Sequence, residues 1–234
     1  MKIIINPQLS EFVGAIIGDG CLYGNFNKYV IMLTGSIKYD NEYYQYFQKI
    51  LSDMGVNSVL KIHGGLRLVI QNKKLFQFLQ NELGMKYKGK KTLEVEIPRK
   101  ILMSEKNLKA CLRGLFNTDG SIFTADKPGS PNYPSIEFTT VSKNLSSQLV
   151  EILRNFGFRA RLRFYDPKVR KYKRTYKIAL NGYEMVNKWY YEMGVSHPIK
   201  GAKFYEILMG RAWFEHATHR SSAGLEPRKV ALPG

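Results

Sequence analysis

An apolar segment that ends in Asp-Gly occurs twice in this chain. The first copy is 9–20 (LSEFVGAIIGDG) and the second is 108–120 (LKACLRGLFNTDG), so that Asp119 follows Asp19 by 100 residues. In both copies the apolar residues recur every three or four positions, which predicts a helix with one apolar face. Because a repeat of this kind indicates structurally similar units, we expect the chain to fold as a duplicated domain.

The segments that follow the two copies also resemble each other in order. In the first half they are a strand-like run at 29–34, a helical run at 43–54, alternating strands over 59–70 and a helix leading to Gly84. In the second half the same series is 135–140, 145–156, 160–180 and a helix leading to Gly194. We interpret each half as helix–strand–strand–helix–strand–strand–helix. The predicted fold is therefore α+β, with two pseudo-symmetric αββαββα repeats and antiparallel sheets.

The repeat pattern breaks at 97–106 (IPRKILMSEK), where Ser104 is placed to cap the second repeated helix. We therefore predict a first repeat over 1–100 and a second repeat over 101–210. Residues 211–234 match nothing in the first half and are rich in small, polar and turn-forming residues. This composition predicts a poorly ordered C-terminal extension.

Small residues lie on one face of each repeated helix. Gly14 and Gly18 are four residues apart in the first helix, and Gly114 and Thr118 occupy the equivalent positions in the second. Glycine in a helix costs about 1 kcal/mol relative to alanine, so its presence here calls for a compensating contact. Small residues at this spacing let two helix backbones approach closely, as they do between membrane helices. We predict that the two helices pack against each other and bring the two Asp-Gly ends together.

Two carboxylates brought to one place need cations. Each raises the pKa of the other unless a metal neutralises the charge. Oxygen ligands suit Mg²⁺, and metal ions about 3.5–4 Å apart are a common arrangement for phosphodiester cleavage. The competing interpretation is that Asp-Gly only forms a turn at a helix end. One copy alone would favour the turn, whereas two copies after matched helices favour a metal site at Asp19 and Asp119.

The charge of the chain indicates a polyanionic partner. Lys and Arg total 36 against 19 Asp and Glu, for a formal net charge of +17 over 234 residues. Such an excess on a folded protein is typical of nucleic-acid binding. Ribosomal association, an anionic membrane surface and simple solubility are the alternatives. No apolar run reaches the roughly 18 residues of a membrane span, so we expect no membrane partner.

The cysteines and histidines indicate neither a disulfide framework nor a zinc site. Only Cys21 and Cys111 are present, and His216 and His219 have no further ligand beside them in the sequence. The amino terminus has no long apolar segment followed by a cleavage site, so we expect no signal peptide. Two cysteines suit a reducing compartment. We expect an intracellular protein, in the cytoplasm of a prokaryote or in an organelle, rather than a secreted one.

The ends of the two helices resemble a known motif. FVGAIIGDG at 12–20 and LRGLFNTDG at 112–120 resemble the LAGLIDADG motif of homing endonucleases. The order of elements between about residues 8 and 209 also resembles the αββαββα unit of that family. The resemblance implies a single-chain member that carries two motifs.

The resemblance also implies roles for particular residues. The motif helices would form the interface between the repeats, with Gly14 and Gly114 among the contacts. Asp19 and Asp119 would be the catalytic acids that bind divalent metal, with Gly18 and Thr118 as neighbouring ligands; these four are the predicted metal site. Mg²⁺ is the expected cofactor, with Mn²⁺ able to substitute.

The family often carries a lysine near the active site, in a Gly-x-Lys segment late in each repeat. In this chain such segments end at Lys91 and Lys203, which are therefore the candidate catalytic lysines. An ammonium group there can polarise the attacking water or stabilise charge on the phosphate. Phosphate contacts and plain surface positions are the alternatives. Some members instead use a polar–lysine pair at the end of the second strand, but 34–35 (TG) and 140–141 (TV) contain no lysine.

The activity that the resemblance implies is a site-specific double-strand break in a long asymmetric DNA target, by metal-dependent phosphodiester hydrolysis. A monomer is expected, because both motifs lie in one chain. The start at Met1 and the absence of splicing-domain sequence favour an intron-encoded or free-standing enzyme. Two alternatives stay open: an RNA maturase that assists splicing of intron RNA, and a regulator that binds DNA without cutting. The intact Asp19 and Asp119 favour cleavage.

Polar faces of the predicted sheets are the candidate DNA contacts. A curved antiparallel ribbon can enter the major groove, where each base pair shows a distinct edge. The span 159–177 holds nine basic residues and one acidic residue, and period two places the arginines at 159, 161 and 163 on one face. A solvated basic hairpin without a role is the alternative. The candidates are Tyr23, Asn25, Asn27, Lys28, Lys61, His63, Arg67 and Gln71 in the first repeat, and Arg159, Arg161, Arg163, Lys171, Lys173 and Lys177 in the second.

Overall fold

The computed structural model describes residues 3–25, 28–86, 91–167 and 173–222, with the backbone alone for 91–92 and 211–222. The first half of the chain contains α1 (Pro7–Asp19), β1 (Gly20–Asn25), β2 (Lys28–Gly35), α2 (Asn41–Asp53), β3 (Ser58–Ile62), β4 (Leu66–Gln71) and α3 (Lys73–Gln77). A π-helical turn over Phe78–Glu82 continues α3. Two short helices, α4 (Lys91–Glu94) and α5 (Arg99–Leu102), lead to the second half.

The second half repeats this order. It contains α6 (Glu105–Asp119), β5 (Gly120–Lys127), β6 (Ser130–Thr140), α7 (Lys143–Asn155), β7 (Arg161–Tyr165), β8 (Thr175–Asn181), α8 (Tyr183–Glu192) and α9 (Pro198–Ser222). Helical backbone therefore extends to Ser222, past residue 210, where we expected the second repeat to end and a poorly ordered extension to begin. No helix of the described ranges, α9 included, is long and apolar enough to cross a membrane.

Each half builds one four-stranded antiparallel sheet. The strand orders are β1-β2-β4-β3 and β5-β6-β8-β7, so the two sheets have the same topology. Gly20 pairs with Leu33 in the first sheet, and Gly120 pairs with Phe138 at the equivalent place in the second. The predicted α+β fold of two αββαββα repeats is thereby confirmed. The strand that follows each long helix, β1 or β5, lies at an edge of its sheet.

Side-chain caps explain where α1 and α6 begin. The Asn6 side chain accepts a hydrogen bond from the Leu9 amide at 2.8 Å, and Pro7 occupies the first turn, where its missing N–H costs nothing. The Ser104 hydroxyl accepts from the Asn107 amide at 3.5 Å, as its position in the sequence suggested. Both helices therefore start at positions that the sequence specifies locally.

The glycines after the two aspartates explain how the helices end. The backbone turns to the extended conformation at Gly20 and Gly120, and each amide still donates to the carbonyl four residues earlier. Neither position has room for a side chain, because an added Cβ would lie 2.4 Å from Ile16 Cα or 2.3 Å from Phe116 Cδ2. Each helix thus stops at its aspartate, and a strand begins at the next residue.

The core of each half lies between the sheet and the helices on one of its faces. Leu33 and Leu68 on neighbouring strands are fully buried in the first half. In the second half Trp189 contacts Phe116 and Phe138, with ring centroids 5.1 and 5.4 Å away. Replacing a buried tryptophan of this kind with alanine typically costs about 3–5 kcal/mol. Side chains on the opposite face of each sheet, such as Val59 and Arg163, are exposed.

The linker between the halves is held against the second half. The backbone amide and carbonyl of Ile97 both bond to the Gln148 side chain on α7, at 2.8 and 3.4 Å. The Ser142 hydroxyl, which also caps α7, donates to the Val95 carbonyl at 2.7 Å. These bonds fix the chain before it enters α6.

Candidate functional site

Helices α1 and α6 are in backbone contact along their small-residue faces. An added Cβ at Gly14 would lie 2.0 Å from the Cys111 carbonyl oxygen, and one at Gly114 would lie 1.9 Å from the Glu11 carbonyl oxygen. Real Cβ atoms do not approach backbone so closely, so only glycine permits this packing. The structure therefore brings together the helix faces that the sequence predicted to meet.

The same contact continues to the ends of the helices. An added Cβ at Gly18 would lie 2.2 Å from the Thr118 hydroxyl oxygen and 3.2 Å from the Asp119 carboxyl carbon. The Thr118 hydroxyl itself donates back to the carbonyls of Gly114 and Leu115, both at 3.1 Å. The carboxyl group of Asp119 thus lies against the last turn of α1, one residue before Asp19.

Both aspartates stand at the carboxyl end of a helix and are exposed. A helix carries partial negative charge at this end, which disfavours a carboxylate. Two such groups beside each other concentrate negative charge at one point of the surface. The arrangement is electrostatically favourable only when cations accompany it.

One lysine lies beside the two aspartates. The Lys200 ammonium donates to the carbonyl oxygens of Phe116, Thr118 and Gly120, at 2.7, 3.2 and 2.6 Å. It thereby satisfies carbonyls at the end of α6, as basic side chains near helix termini commonly do. Burial lowers the pKa of Lys200 to about 8.

Three carboxylates oppose this effect and raise the pKa of the same ammonium: Asp19, Asp40 and Asp119. A single cation therefore interacts with the acids of both repeats. Its three hydrogen bonds also orient the end of α6. Lys200 is placed both to balance charge at the site and to fix the position of Asp119.

The lysine at the site differs from the candidates that the sequence suggested. Lys203 is exposed on α9, and the side chain of Lys91 lies outside the described residues. Lys200 is on the same face of α9 as the buried Phe204 and Ile207, because positions four and seven residues apart share a helix face. This periodicity was the available signal for the position of Lys200. The structure places Lys203 on the exposed face of α9, and the catalytic role suggested by its Gly-x-Lys spacing stays a prediction.

A buried tyrosine whose hydroxyl has no hydrogen-bond partner among the described residues lies near Asp19 and Asp40. Tyr44 is 1% exposed, and its hydroxyl has no partner among the described residues. Burial raises the pKa of Tyr44 well above its usual value, and the charges of Asp19 and Asp40 act in the same direction. The hydroxyl lies where Gly35 has no side chain, since an added Cβ there would be 2.7 Å away. An unsatisfied buried hydroxyl near carboxylates is a suitable donor to a water molecule.

A hydrogen bond between side chains joins the two repeats next to this tyrosine. His197 Nε2 lies 2.9 Å from Asp40 Oδ1, and His197 is 2% exposed. Burial acts to raise the pKa of Asp40, but hydrogen bonds from His197 and the Ser36 amide, with nearby positive charge, lower it below its usual value. Sequence reasoning missed this pair because its members are 157 residues apart.

A buried ion pair crosses the interface between α1 and α6, further from the two aspartates. Glu11 is fully buried and accepts from Arg113 Nε at 3.0 Å and Nη2 at 2.8 Å. The hydroxyls of Tyr43 and Tyr46 donate to the same carboxylate at 3.3 and 3.2 Å. The third donor group of Arg113 bonds to the Met193 carbonyl at 3.0 Å. This network connects α1, α2, α6 and the end of α8.

The atoms at the helix ends fit a hard divalent cation. The ligands that the sequence predicted, the carboxylates of Asp19 and Asp119 and the carbonyls of Gly18 and Thr118, are all oxygen, as Mg²⁺ and Mn²⁺ prefer. The Thr118 carbonyl also accepts from Lys200, and its second lone pair stays available. Among the described residues no three His, Cys, Asp or Glu side chains form a metal-binding group. Water or a substrate phosphate would therefore have to complete the coordination.

Six of the predicted DNA contacts in the first half lie on the open face of its sheet. Strand register places them on the face opposite the buried Leu33 and Leu68: Tyr23, Asn25, Lys28, Lys61, Arg67 and Gln71. His63 lies in the turn between β3 and β4. Asn27 lies outside the described residues.

The second half differs from expectation at Arg159. Arg161, Arg163 and Lys177 share the open face of the second sheet. Arg159 precedes β7 and forms an ion pair with Glu184 on α8 at 2.8 Å, because the strand begins only at Arg161. Lys173 is exposed before β8, and Lys171 lies outside the described residues. The two-residue alternation was therefore extended one step too far.

A family model and several known proteins are similar to this chain. Residues 106–192 match the family described as a LAGLIDADG-like domain. The Replication factor C small subunit of Methanocaldococcus jannaschii is 29% identical over 205 residues, which cover 87% of this chain and 10% of that protein. An uncharacterized protein of the same organism is 26% identical over 195 residues, which cover 80% of this chain and 21% of that protein. The chain thus spans about a tenth and about a fifth of these relatives.

Solved structures share the fold. I-DmoI in complex with DNA and Mn has a TM-score of 0.58 at 20% identity, covering 83% of this chain and 99% of that chain. The meganuclease I-AabMI bound to uncleaved DNA has a TM-score of 0.58 at 12% identity, covering 92% and 93%. Residues 106–192 therefore contain a LAGLIDADG-like domain, and the two-repeat fold of the chain is that of I-DmoI and the meganuclease I-AabMI.

Proposed function

We propose that this protein is a monomeric, metal-dependent endonuclease that makes a site-specific double-strand break in duplex DNA. The observation that carries the proposal is the meeting of one motif aspartate from each repeat beside the Lys200 ammonium. Two carboxylates and backbone carbonyls at one point suit the divalent ions used in phosphodiester hydrolysis. The solved relatives with bound DNA and Mn support the same chemistry for this fold.

Different residues of the chain would perform different parts of such a reaction. Asp19 and Asp119 would hold Mg²⁺, which would supply Lewis-acid activation of the phosphate. Lys200 holds the end of α6 and contributes a positive charge near both acids. The Tyr44 hydroxyl, which lies near Asp19 and has no partner among the described residues, can orient a water molecule there. Each motif acid would serve the cleavage of one strand.

The open sheet faces provide the DNA-binding surface of the proposal. Each four-stranded sheet presents a row of basic side chains away from its helices, with Lys61 and Arg67 in the first and Arg163 and Lys177 in the second. The net charge of +17 favours a polyanion. Because phosphate contacts release counterions, binding should weaken steeply with salt, and removing one phosphate-binding side chain should lower the salt slope by about 1.

The proposed reaction is tested by cleavage of a plasmid that carries the uninterrupted sequence of the host gene, with and without Mg²⁺. Asp19→Asn and Asp119→Asn should each abolish double-strand cutting while leaving DNA binding intact. Asp53→Asn is the matched control, because Asp53 is also an exposed aspartate at the end of a helix. Wild-type cutting by both motif variants would refute the mechanism. Binding of the junction sequence without any cutting would instead favour a maturase or a regulator.

The proposal includes an intron-encoded origin. In both curated relatives, by contrast, the similar segment is a small part of a longer protein, which is the arrangement that the alternative, a reading frame inside a host protein, would give. Sequencing the locus decides the point, because an intron-encoded frame must lie between two exons that join into one host gene. A reading frame that continues a host protein would contradict this part of the proposal and leave the cleavage mechanism untouched.

A further inference from the structure

The two sheets can be compared row by row. Gly20 pairs with Leu33 in the first sheet and Gly120 with Phe138 in the second, and both pairs directly follow a motif aspartate. Counting from these pairs gives each residue of one sheet an equivalent in the other. Residues side by side on adjacent strands point to the same face. The open faces can therefore be described as matched cross-strand rows.

One row has the same chemistry in both sheets. In the first sheet it contains Thr34, Arg67 and Lys61, and in the second it contains Thr139, Lys177 and Arg163. Each row thus holds one threonine and two basic side chains. Matched basic rows are the expected feature of two surfaces that follow the same phosphate backbone.

The adjacent row, which we call the central row, differs completely between the sheets. In the first sheet it is apolar and contains Cys21, Met32, Val69 and Val59. In the second sheet the equivalent residues are Ser121, Glu137, Ala179 and Arg161. Met32 therefore corresponds to Glu137, and Val59 corresponds to Arg161.

The apolar central row is accessible on the open face. Val59 is 53% exposed, and Met32 and Val69 are partly exposed, whereas their strand neighbours Leu33 and Leu68 are fully buried. In the second sheet the Glu137 carboxylate forms an ion pair with Lys177, whose ammonium lies 2.8 Å away. Apolar groups beside the basic side chains of Arg67 and Lys61 on an accessible sheet face indicate a partner that is both anionic and locally apolar.

The major groove of DNA has both properties. Its phosphates are anionic, and thymine alone presents a methyl group there, which apolar side chains contact. Guanine offers two acceptors to arginine, and cytosine offers an amino donor to a carboxylate. The apolar row thus matches thymine, and the row with Arg161 and Glu137 matches guanine and cytosine.

Resting on the proposed function, we infer that the two halves of the DNA target are read by different chemistry. The central row of the first sheet reads its half by contact with thymine methyl groups. The central row of the second sheet reads the other half through polar contacts from Arg161 and Glu137. The target is therefore asymmetric in composition, with thymine selected at the centre of one half and G·C pairs at the centre of the other.

The test begins with the full-length protein and a pool of random-sequence duplexes, selected for binding without divalent metal. The enriched duplex is then made with uracil in place of thymine, separately in each half, which removes only the methyl group. Uracil under the first sheet should weaken binding about fourfold for each contacted thymine, as expected for loss of one buried methyl. Uracil in the other half should leave binding unchanged.

Two variants, each carrying the residue found at the equivalent position of the other sheet, identify which half of the DNA target lies under which sheet. Met32→Glu should shift the preference in the thymine-selecting half toward cytosine, and Glu137→Met should shift the other half toward thymine. Both side chains lie on the open face, and the uracil experiment on the unaltered protein stands even if a variant folds poorly. Equal uracil effects in both halves, or none, would overturn the inference and leave the proposed function intact. Enrichment of no sequence at all would overturn the proposed site-specific function itself.

Discussion

The two motif helices present the same backbone to each other but different side chains. Gly14 and Gly114 make reciprocal contacts, with an added Cβ 2.0 or 1.9 Å from the opposite carbonyl. Three residues earlier, Glu11 of α1 corresponds to Cys111 of α6, and Arg113 corresponds to Val13. The ion pair between Glu11 and Arg113 therefore has no symmetric counterpart. The symmetric glycine contacts determine where the two aspartates meet. The unmatched ion pair makes the two helix faces different from each other.

The surroundings of the two acids show the same difference. The buried Tyr44 hydroxyl is affected by the charge of Asp19, whereas Lys200, which is affected by both acids, bonds to the carbonyls at the helix end that carries Asp119. The residue equivalent to Lys200 in the first repeat is Lys88, which lies outside the described residues. The two repeats share one fold, but the side chains that they place around the two aspartates are different.

The largest effect is expected from breaking the symmetric contact. Gly114→Ala would force a methyl group into the Glu11 carbonyl, so the helices must separate, at a cost of more than about 4 kcal/mol. Gly201→Ala in α9 is the control, because an added Cβ there meets nothing within 4 Å, and alanine should stabilise that helix by about 0.5–1 kcal/mol. Urea unfolding measures both changes. Similar stabilities for the two variants would contradict the close packing.

The asymmetric ion pair should come next in size. Arg113→Ala leaves the fully buried Glu11 carboxylate uncompensated, at a cost of about 3 kcal/mol. Glu11→Ala should cost less, because the Arg113 side chain is 24% exposed and partly hydrated. Replacing both by Leu and Met should be close to neutral. Chemical denaturation of the three variants gives the comparison, and equal losses in the two single variants would argue against a buried, charged Glu11.

The two neighbouring lysines of α9 sharpen the comparison at the site. Lys200→Met removes three hydrogen bonds to the end of α6 and the cation near both acids, so we expect cleavage to fall about 100-fold. Lys203→Met, at an exposed position, should change it little. Single-turnover cleavage at saturating protein separates this effect from binding. A larger loss with Lys203→Met would restore the assignment made from the Gly-x-Lys spacing.

The smallest expected effect is on the pH dependence of stability, through the Asp40–His197 pair that joins the start of α2 to the second repeat. The pKa of Asp40 is lowered in the folded protein, so its contribution to stability is complete above the unfolded value of about 3.9 and is lost as pH falls through the folded value. Wild type should therefore lose stability more steeply below about pH 4 than Asp40→Asn. Thermal melting across that range makes the measurement, and parallel curves would show that Asp40 contributes no such linkage.

The local elements of this protein could be predicted from short stretches of sequence. Asn6 and Ser104 cap helices through bonds to residues three positions later, and Gly20 and Gly120 end helices because no side chain fits there. The strand runs follow two-residue alternation. At Arg159 the two-residue alternation was extended beyond the strand, because β7 begins only at Arg161 and the Arg159 side chain pairs with Glu184 on α8.

The duplicated Asp-Gly segments by themselves predicted the two-repeat fold and the packing of the two motif helices against each other. They also identified Asp19 and Asp119 as the acids that meet. Only the tertiary structure decided which side chains surround those acids. Lys200 rather than Lys203 reaches the site because the packing of α9 selects one helix face, and His197 meets Asp40 across 157 residues. Local periodicity specifies helices and strands, since it depends on neighbours in the chain. Contacts between distant residues depend on how those elements pack, and that information is spread over the whole core.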